Sequence, residues 1–273
     1  MNSPQHNSAT PTASTNPWGA FRMLWRLPLL AIHAVVFLPV TLVVVAQGHA
    51  AEGWRRRWAE VAMGLWSGAL LKVFGFRIEV SGKPHAHPVV LLANHVSWAD
   101  IELIHSQMAA GFVAKAEIAR WPVIGFMAKV GGTVFHQRGQ RSSQERVTAA
   151  LADKLKAGRS IAIFPEGRTG AGRPVLAFHG RLLQAAVDTT TPIQAVAIEF
   201  LRDGEYAFDI PFTANESFGA SLVRMLRQPL TTAKIHFLES RPPDAGRTEL
   251  ARWAHGKVAH VVERREIPHD SAL

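Results

Sequence analysis

His95 and Asp100, with four residues between them, are the first pair in this chain whose types could do acid–base chemistry. An imidazole takes a proton from a hydroxyl near neutral pH. A carboxylate on its second ring nitrogen fixes the tautomer and stabilises the cation that forms. On one regular helix, side chains five residues apart diverge by about 140°. The two can meet only if His95 lies in a turn ahead of the helix that carries Asp100. The run VVLLAN (89–94) reads as a strand buried on both faces and stops directly before His95. A structural reading competes with the chemical one. Ser97-x-x-Asp100 has the spacing of a capping box, with Ser97 as N-cap, which would leave His95 a bystander. With 13 histidines in the chain, a His-x4-Asp pair arises easily by chance.

Three other stretches place polar groups beside a strand-like run. In IAIFPEGRTG (161–170), Glu166, Gly167 and Arg168 form a turn after a strand. Glycine lets backbone N–H groups approach an anion there, and a guanidinium grips phosphate in bidentate fashion. A solvated surface turn is the plain alternative. GGTVFHQRGQR (131–141) sets Arg138 after another strand, with a solvated basic turn as its alternative. PIQAVAIEF (192–200) reads equally well as plain core strand. KPHAHP brings His85 and His87 together without carboxylates at ligand spacing, so it reads as a polar loop and not a metal site.

These turns need a sheet to hold them. From Phe76 onward, strand-like runs at 76–82, 89–94, 111–116, 132–135, 160–164, 195–201 and 234–238 alternate with helical patterns, notably 142–157 and 178–188. The expectation is an α/β domain over 76–265, with a mixed, largely parallel central sheet flanked by helices. Its last helix runs from Thr248, the expected N-cap, to Arg265. Residues 266–273 form a short tail.

The N-terminal third differs. Residues 1–20 are rich in Ser, Thr, Pro and Asn, the composition of a disordered tail. Leu27 to Ala46 contains no acid, Lys or Arg, and as a helix would cover about 30 Å, the depth of a bilayer core. Pro39 should kink or end that helix, so re-entrant insertion competes with a full span. Five of the eight tryptophans (Trp18, Trp25, Trp54, Trp58 and Trp66) sit near its two ends, where the membrane–water boundary favours them. A second helix over 52–75, with Trp54, Trp58, Val61 and Leu65 at helical spacing after Arg55-Arg56-Arg57, fits an interfacial amphipathic helix. A helix packed on the sheet is the alternative. Residues 21–75 are thus expected to be membrane-inserted and interfacial.

The 273 residues carry a net charge of +9, which favours anionic partners. The basic residues are scattered and no nucleic-acid module is present, so nucleic acid is not the expected partner. The absence of cysteine excludes thiolate–metal sites and cysteine nucleophiles.

The order and spacing of Asn94-His95-x4-Asp100, Gly-x-x-Phe-x-x-Arg ending at Arg138, Phe164-Pro165-Glu166-Gly167 and Pro192-x-x-Ala-Val-Ala resemble the four blocks of the glycerolipid acyltransferases. The bacterial 1-acylglycerol-3-phosphate subgroup is the most similar. The resemblance implies transfer of a fatty acyl group from acyl-CoA or acyl carrier protein, as co-substrate, to the free hydroxyl of lysophosphatidate. His95 would be general base and Asp100 its partner, with no acyl-enzyme intermediate. It also implies that Glu166 and Gly167 line the acceptor site, that Arg138 and Lys115 serve the acceptor phosphate, beside the Arg168 that the turn itself offers to an anion, and that no metal or other cofactor is needed. The setting it implies is the cytoplasmic face of a bacterial inner membrane, among membrane phospholipids. The second block departs from Phe-Ile-Asp-Arg (Phe135-His136-Gln137-Arg138 here), and the third from Gly-Thr-Arg (Gly167-Arg168-Thr169). These departures admit another lysolipid, such as lyso-ornithine lipid. A lipid hydrolase or a non-catalytic lipid-binding protein are the remaining classes.

Overall fold

Residues 17–49, 51–86, 88–137, 141–212 and 216–264 are described by a computed structural model. Eight strands form one sheet: β1 (Phe76–Ser81), β2 (Val90–Ala93), β3 (Gly111–Lys115), β4 (Val134–His136), β5 (Ile161–Ile163), β6 (Ile193–Arg202), β7 (Glu205–Tyr206) and β8 (Thr231–Arg241). The order is β1-β8-β6-β2-β5-β3-β4, with β7 hairpinned onto β6. Every neighbouring pair is parallel except β6–β8 and β6–β7. The sheet is therefore mixed and largely parallel, as the alternating pattern predicts.

Successive strand residues point to opposite faces, and each face has its own helices. Leu91, Ala93, Val196, Ile198 and Phe200 pack on one side with residues of α3 (Trp54–Val73), α4 (Ala99–His105) and α8 (Phe218–Arg227). Val90, Leu92, Ala195 and Ala197 pack on the other side with α6 (Arg141–Lys156) and α9 (Arg247–Val262). Two shorter helices, α5 (Ile124–Val130) and α7 (Gln184–Asp188), follow β3 and precede β6. The last helix is flanked at its start by Gly246, not Thr248, and has no side-chain cap.

The apolar N-terminal segment is one helix of 31 residues, Trp18–Gly48. It comprises α1 (Pro17–Ile32), a π turn (His33–Phe37) and α2 (Leu38–His49). Pro39 neither ends nor breaks it. The wider turn lets Leu38 N–H reach the His33 carbonyl one residue further back, just ahead of the position that lacks a donor. α2 then doubles back against α3. This close approach requires Gly48, because a Cβ there would fall 2.3 Å from the Ala59 Cβ. The other end is docked too: buried Arg26 donates to the carbonyls of Leu226 and Gln228 at the end of α8.

Between these docks the outer face stays bare, with Leu24 72%, Val35 73% and Val40 62% exposed. The stripe of Trp54, Trp58, Val61 and Leu65 on α3 is exposed as well. Ala59, Ser67, Leu70 and Leu71 of the same helix are buried. The helix thus packs on the domain with one face and leaves the tryptophan-bearing face exposed.

Candidate active site

β2 ends in the middle of the sheet, and the next residues turn out of it. Asn94 makes that turn possible. Its buried side chain accepts the Ile198 N–H at 2.8 Å and donates to the Ile198 carbonyl at 2.9 Å. The amide thus continues the β2–β6 ladder one step beyond the strand, and the backbone is free to leave. His95 follows, partly exposed, at the edge where the parallel strands end.

His95 lies ahead of α4 and Asp100 in its first turn, so the obstacle of an i+5 pair on one helix does not arise. His95 Nδ1 and Asp100 Oδ2 are 2.8 Å apart. Asp100 is fully buried, and the same oxygen accepts the backbone N–H groups of Val96 (2.7 Å) and Ser97 (2.8 Å). This is one half of the expected capping box. The other half differs, because the helix begins at Ala99 after Trp98. The Ser97 hydroxyl therefore takes the Ala99 N–H, at 3.3 Å. Capping and chemistry are not alternatives here, since the carboxylate that starts the helix also holds the imidazole.

The second turn closes on the first. Phe164 stacks on the His95 ring at 4.0 Å between centroids, fixing its plane. Glu166 is turned inward and accepts the His95 backbone N–H at 3.0 Å, while Gly170 N–H donates to the His95 carbonyl at 2.8 Å. Burial pushes the Glu166 carboxyl up to about 7, and the Asp100 charge adds to this. The His95 and Leu176 N–H groups and Arg168 pull it down. Gly167 has a φ of +72°, which glycine adopts freely, and its N–H closes the turn on the Phe164 carbonyl. Arg168 is exposed beside this turn.

Lys115 is exposed at the end of β3, in register with His136 at the end of β4, so both share the edge that carries His95. Arg138 lies outside the described residues, as does His87. The fourth block is central strand. Its Gln194 is buried and ties Lys83, His85 and Leu238 together.

Sequence reasoning missed the brace behind the site. Glu199 of β6 holds Arg173 at 3.0 Å and His236 at 3.1 Å, and the Arg173 guanidinium lies 4.9 Å over the Tyr206 ring. This network anchors the middle of the segment between β5 and Gly180, through Arg173. A glutamate inside the apolar run AVAIEFL was the available signal.

The arrangement presents an imidazole with Nδ1 occupied by a buried carboxylate, leaving Nε2 to face a reactant. Among the described residues, the N–H groups of His95, Val96, Ser97, Gly167 and Gly170 are already engaged. Oxyanion donors must come from elsewhere.

A family model described as "Acyltransferase" matches residues 77–199, a span that contains both turns. The chain is 37% identical to the lyso-ornithine lipid O-acyltransferase of Pseudomonas aeruginosa over 194 residues, 71% of this chain and 75% of that one. It is 32% identical to the 1-acyl-sn-glycerol-3-phosphate acyltransferase of Neisseria gonorrhoeae over 183 residues, 67% and 71% of the two chains. In fold it is similar to the 1-acyl-sn-glycerophosphate acyltransferase PlsC of Thermotoga maritima, with a TM-score of 0.67 at 20% identity over 90% of this chain and 95% of that one. The His95–Asp100 pair and the Glu166 turn thus stand inside the matched region of a chain whose length is largely shared with these enzymes, and the protein belongs to the glycerolipid acyltransferase family.

Proposed function

We propose that the protein acylates the free hydroxyl of a lysolipid from a thioester donor, acyl-CoA or acyl carrier protein, at a membrane surface. The observation that carries this is the His95–Asp100 contact at the open edge of the sheet. His95 Nε2 takes the hydroxyl proton as the acceptor oxygen bonds to the thioester carbonyl carbon. Asp100 stabilises the imidazolium. The tetrahedral adduct collapses as the C–S bond breaks, and the imidazolium returns its proton to the departing thiolate. Ester and free thiol are the products. The acceptor hydroxyl is itself the nucleophile, so no acyl-enzyme forms, in keeping with a chain that has no cysteine.

The first acceptor we propose is lyso-ornithine lipid, supported by the higher identity to the Pseudomonas enzyme. Lysophosphatidate is the second, supported by the Neisseria enzyme. Both acceptors bring an anion, carboxylate or phosphate, and Arg168 and Lys115 are the exposed cations on this rim. The long N-terminal helix is docked to the domain at both ends. It would therefore lie along the lipid surface with its bare face immersed, neither spanning nor re-entering the bilayer.

The test supplies labelled acyl-CoA or acyl carrier protein with each acceptor to membranes carrying the wild type or His95→Ala. Acceptor-dependent ester formation by the wild type alone is expected. Equal ester formation by both proteins would overturn the assignment of His95.

A further inference from the structure

The sheet has a pocket at the opposite edge, where the parallel strands begin, apolar for the most part but with charged side chains in its lining. Ala110, Gly111 and Ser160, at the starts of β3 and β5, form its floor, and the α2–α3 hairpin forms its wall. His95, which follows β2, lies at the other edge, where the parallel strands end. Three cations line the pocket (Arg56 of α3, Lys154 of α6, and Arg159), against one carboxylate, Glu60. Arg56 is partly committed, donating to Glu60 at 2.9 Å and to the Gly158 carbonyl at 2.6 Å.

Lys154 and Arg159 are half-buried. Burial, together with the like charge of Arg159, lowers the Lys154 ammonium from its ordinary value. Burial and the charge of Arg56 do the same to Arg159, and Glu60 opposes them only in part. Crowding of like charge in a partly dry cleft is unfavourable until an anion enters. The C-terminal end of α6 favours cations nearby, but three cations exceed what one helix end offers.

We infer that this pocket is a phosphate-binding site, separate from the catalytic edge. Its surroundings favour a phosphate carried by a lipid. Val45, Met63 and Gly131 line both this pocket and a neighbouring apolar cleft, so a cationic end joins an apolar groove. An amphiphile with an anionic head has that polarity. Exposed Trp54 and Trp58 stand on the same hairpin, where a lipid surface would meet it.

The test uses the full chain in a neutral detergent, titrated with dihexanoyl phosphatidylglycerol and, separately, with inorganic phosphate. The comparison is between wild type, Lys154→Met/Arg159→Gln, the charge-conserving Lys154→Arg/Arg159→Lys, and Arg55→Gln/Arg57→Gln. The last pair loses the same charge outside the pocket. Wild type, the charge-conserving variant and the Arg55/Arg57 variant should bind saturably. The neutral pocket variant should bind at least about tenfold more weakly.

Binding of the lipid without competition from inorganic phosphate assigns the site to a headgroup, and competition assigns it to phosphate in general. Equal binding by wild type and the neutral variant overturns the inference. So does equal weakening in the Arg55/Arg57 variant, or no saturable binding of either probe. Should the double variant fail to fold, Lys154→Met alone is read by the same criteria.

Discussion

Asp100 Oδ2 sits 2.8 Å from His95 Nδ1 while holding the N–H groups of Val96 and Ser97. One oxygen thus sets the ring, the turn and the start of a helix. Asp100→Asn keeps an oxygen for these contacts but removes the charge that stabilises the imidazolium. It also buries an amide NH₂ where Oδ1 now has no partner among the described residues. We expect kcat to fall by about 10²–10⁴-fold with the acceptor KM little changed, and stability to fall by about 1–3 kcal/mol. Steady-state kinetics and thermal unfolding of the same preparation check both.

Asn94→Ala separates the strand end from catalysis. It leaves the Ile198 N–H and carbonyl without partners in a buried place, at a cost of about 2–4 kcal/mol. Melting temperature should drop by several degrees, and activity should fall further than the unfolded fraction explains because the His95 turn loses its footing. Circular dichroism melts beside initial rates measure the two effects.

Glu102 gives a pH signature. Burial raises its carboxyl to about 7, against a hydrogen bond from the Ser67 hydroxyl at 2.6 Å that lowers it. With a folded value above the unfolded one, its contribution is complete below about 4.5 and is lost as pH rises through about 7. Glu102→Gln retains an acceptor for Ser67 and removes this loss. The variant should match wild type near pH 5 and exceed its melting temperature by several degrees at pH 8. Glu166 shifts in the same sense and His105 in the opposite one, lowered to about 4 by burial, but both remain in the two proteins and cancel in the comparison. A flat difference between pH 5 and 8 would refute the account.

Membrane contact is tested on the outer face of the long helix. Val36, Val40 and Val43 are 53%, 62% and 57% exposed at i, i+4 and i+7 spacing. Changing all three to glutamate touches no buried contact. Sedimentation with liposomes should fall at least tenfold, while the melting temperature in detergent stays unchanged.

Much of this was legible in the sequence because it depends on short-range rules. Period and run length located seven of the strands, and the position of His95 at a strand end followed from them. The partnership with Asp100 also followed, once His95 was placed ahead of the helix. What was not legible depends on distant partners. Nothing local says that Asn94 pairs with Ile198, or that Glu199 gathers Arg173 and His236 behind the loop. β7 is two residues long and too short to show a period. Pro39 misled because a proline rule assumes an α-helical ladder, and the π turn before it absorbs the missing donor. The N-cap of α4 moved by one, from Ser97 to Trp98, although the Ser97 hydroxyl still accepts the Ala99 N–H.

Arg26 carries a mechanical consequence. Its guanidinium is seated on the end of α8, beneath Gly75, where a Cβ would come within 2.1 Å of Nη2. With the far end of the helix locked by Gly48 against Ala59, anchor and domain form one rigid lever with no swivel between them. With the helix on a lipid surface, as proposed, its tilt would dictate the height and heading of His95 above that surface. A lysolipid hydroxyl would be met at a fixed depth, and loosening Arg26 would detune that depth while leaving every catalytic distance intact.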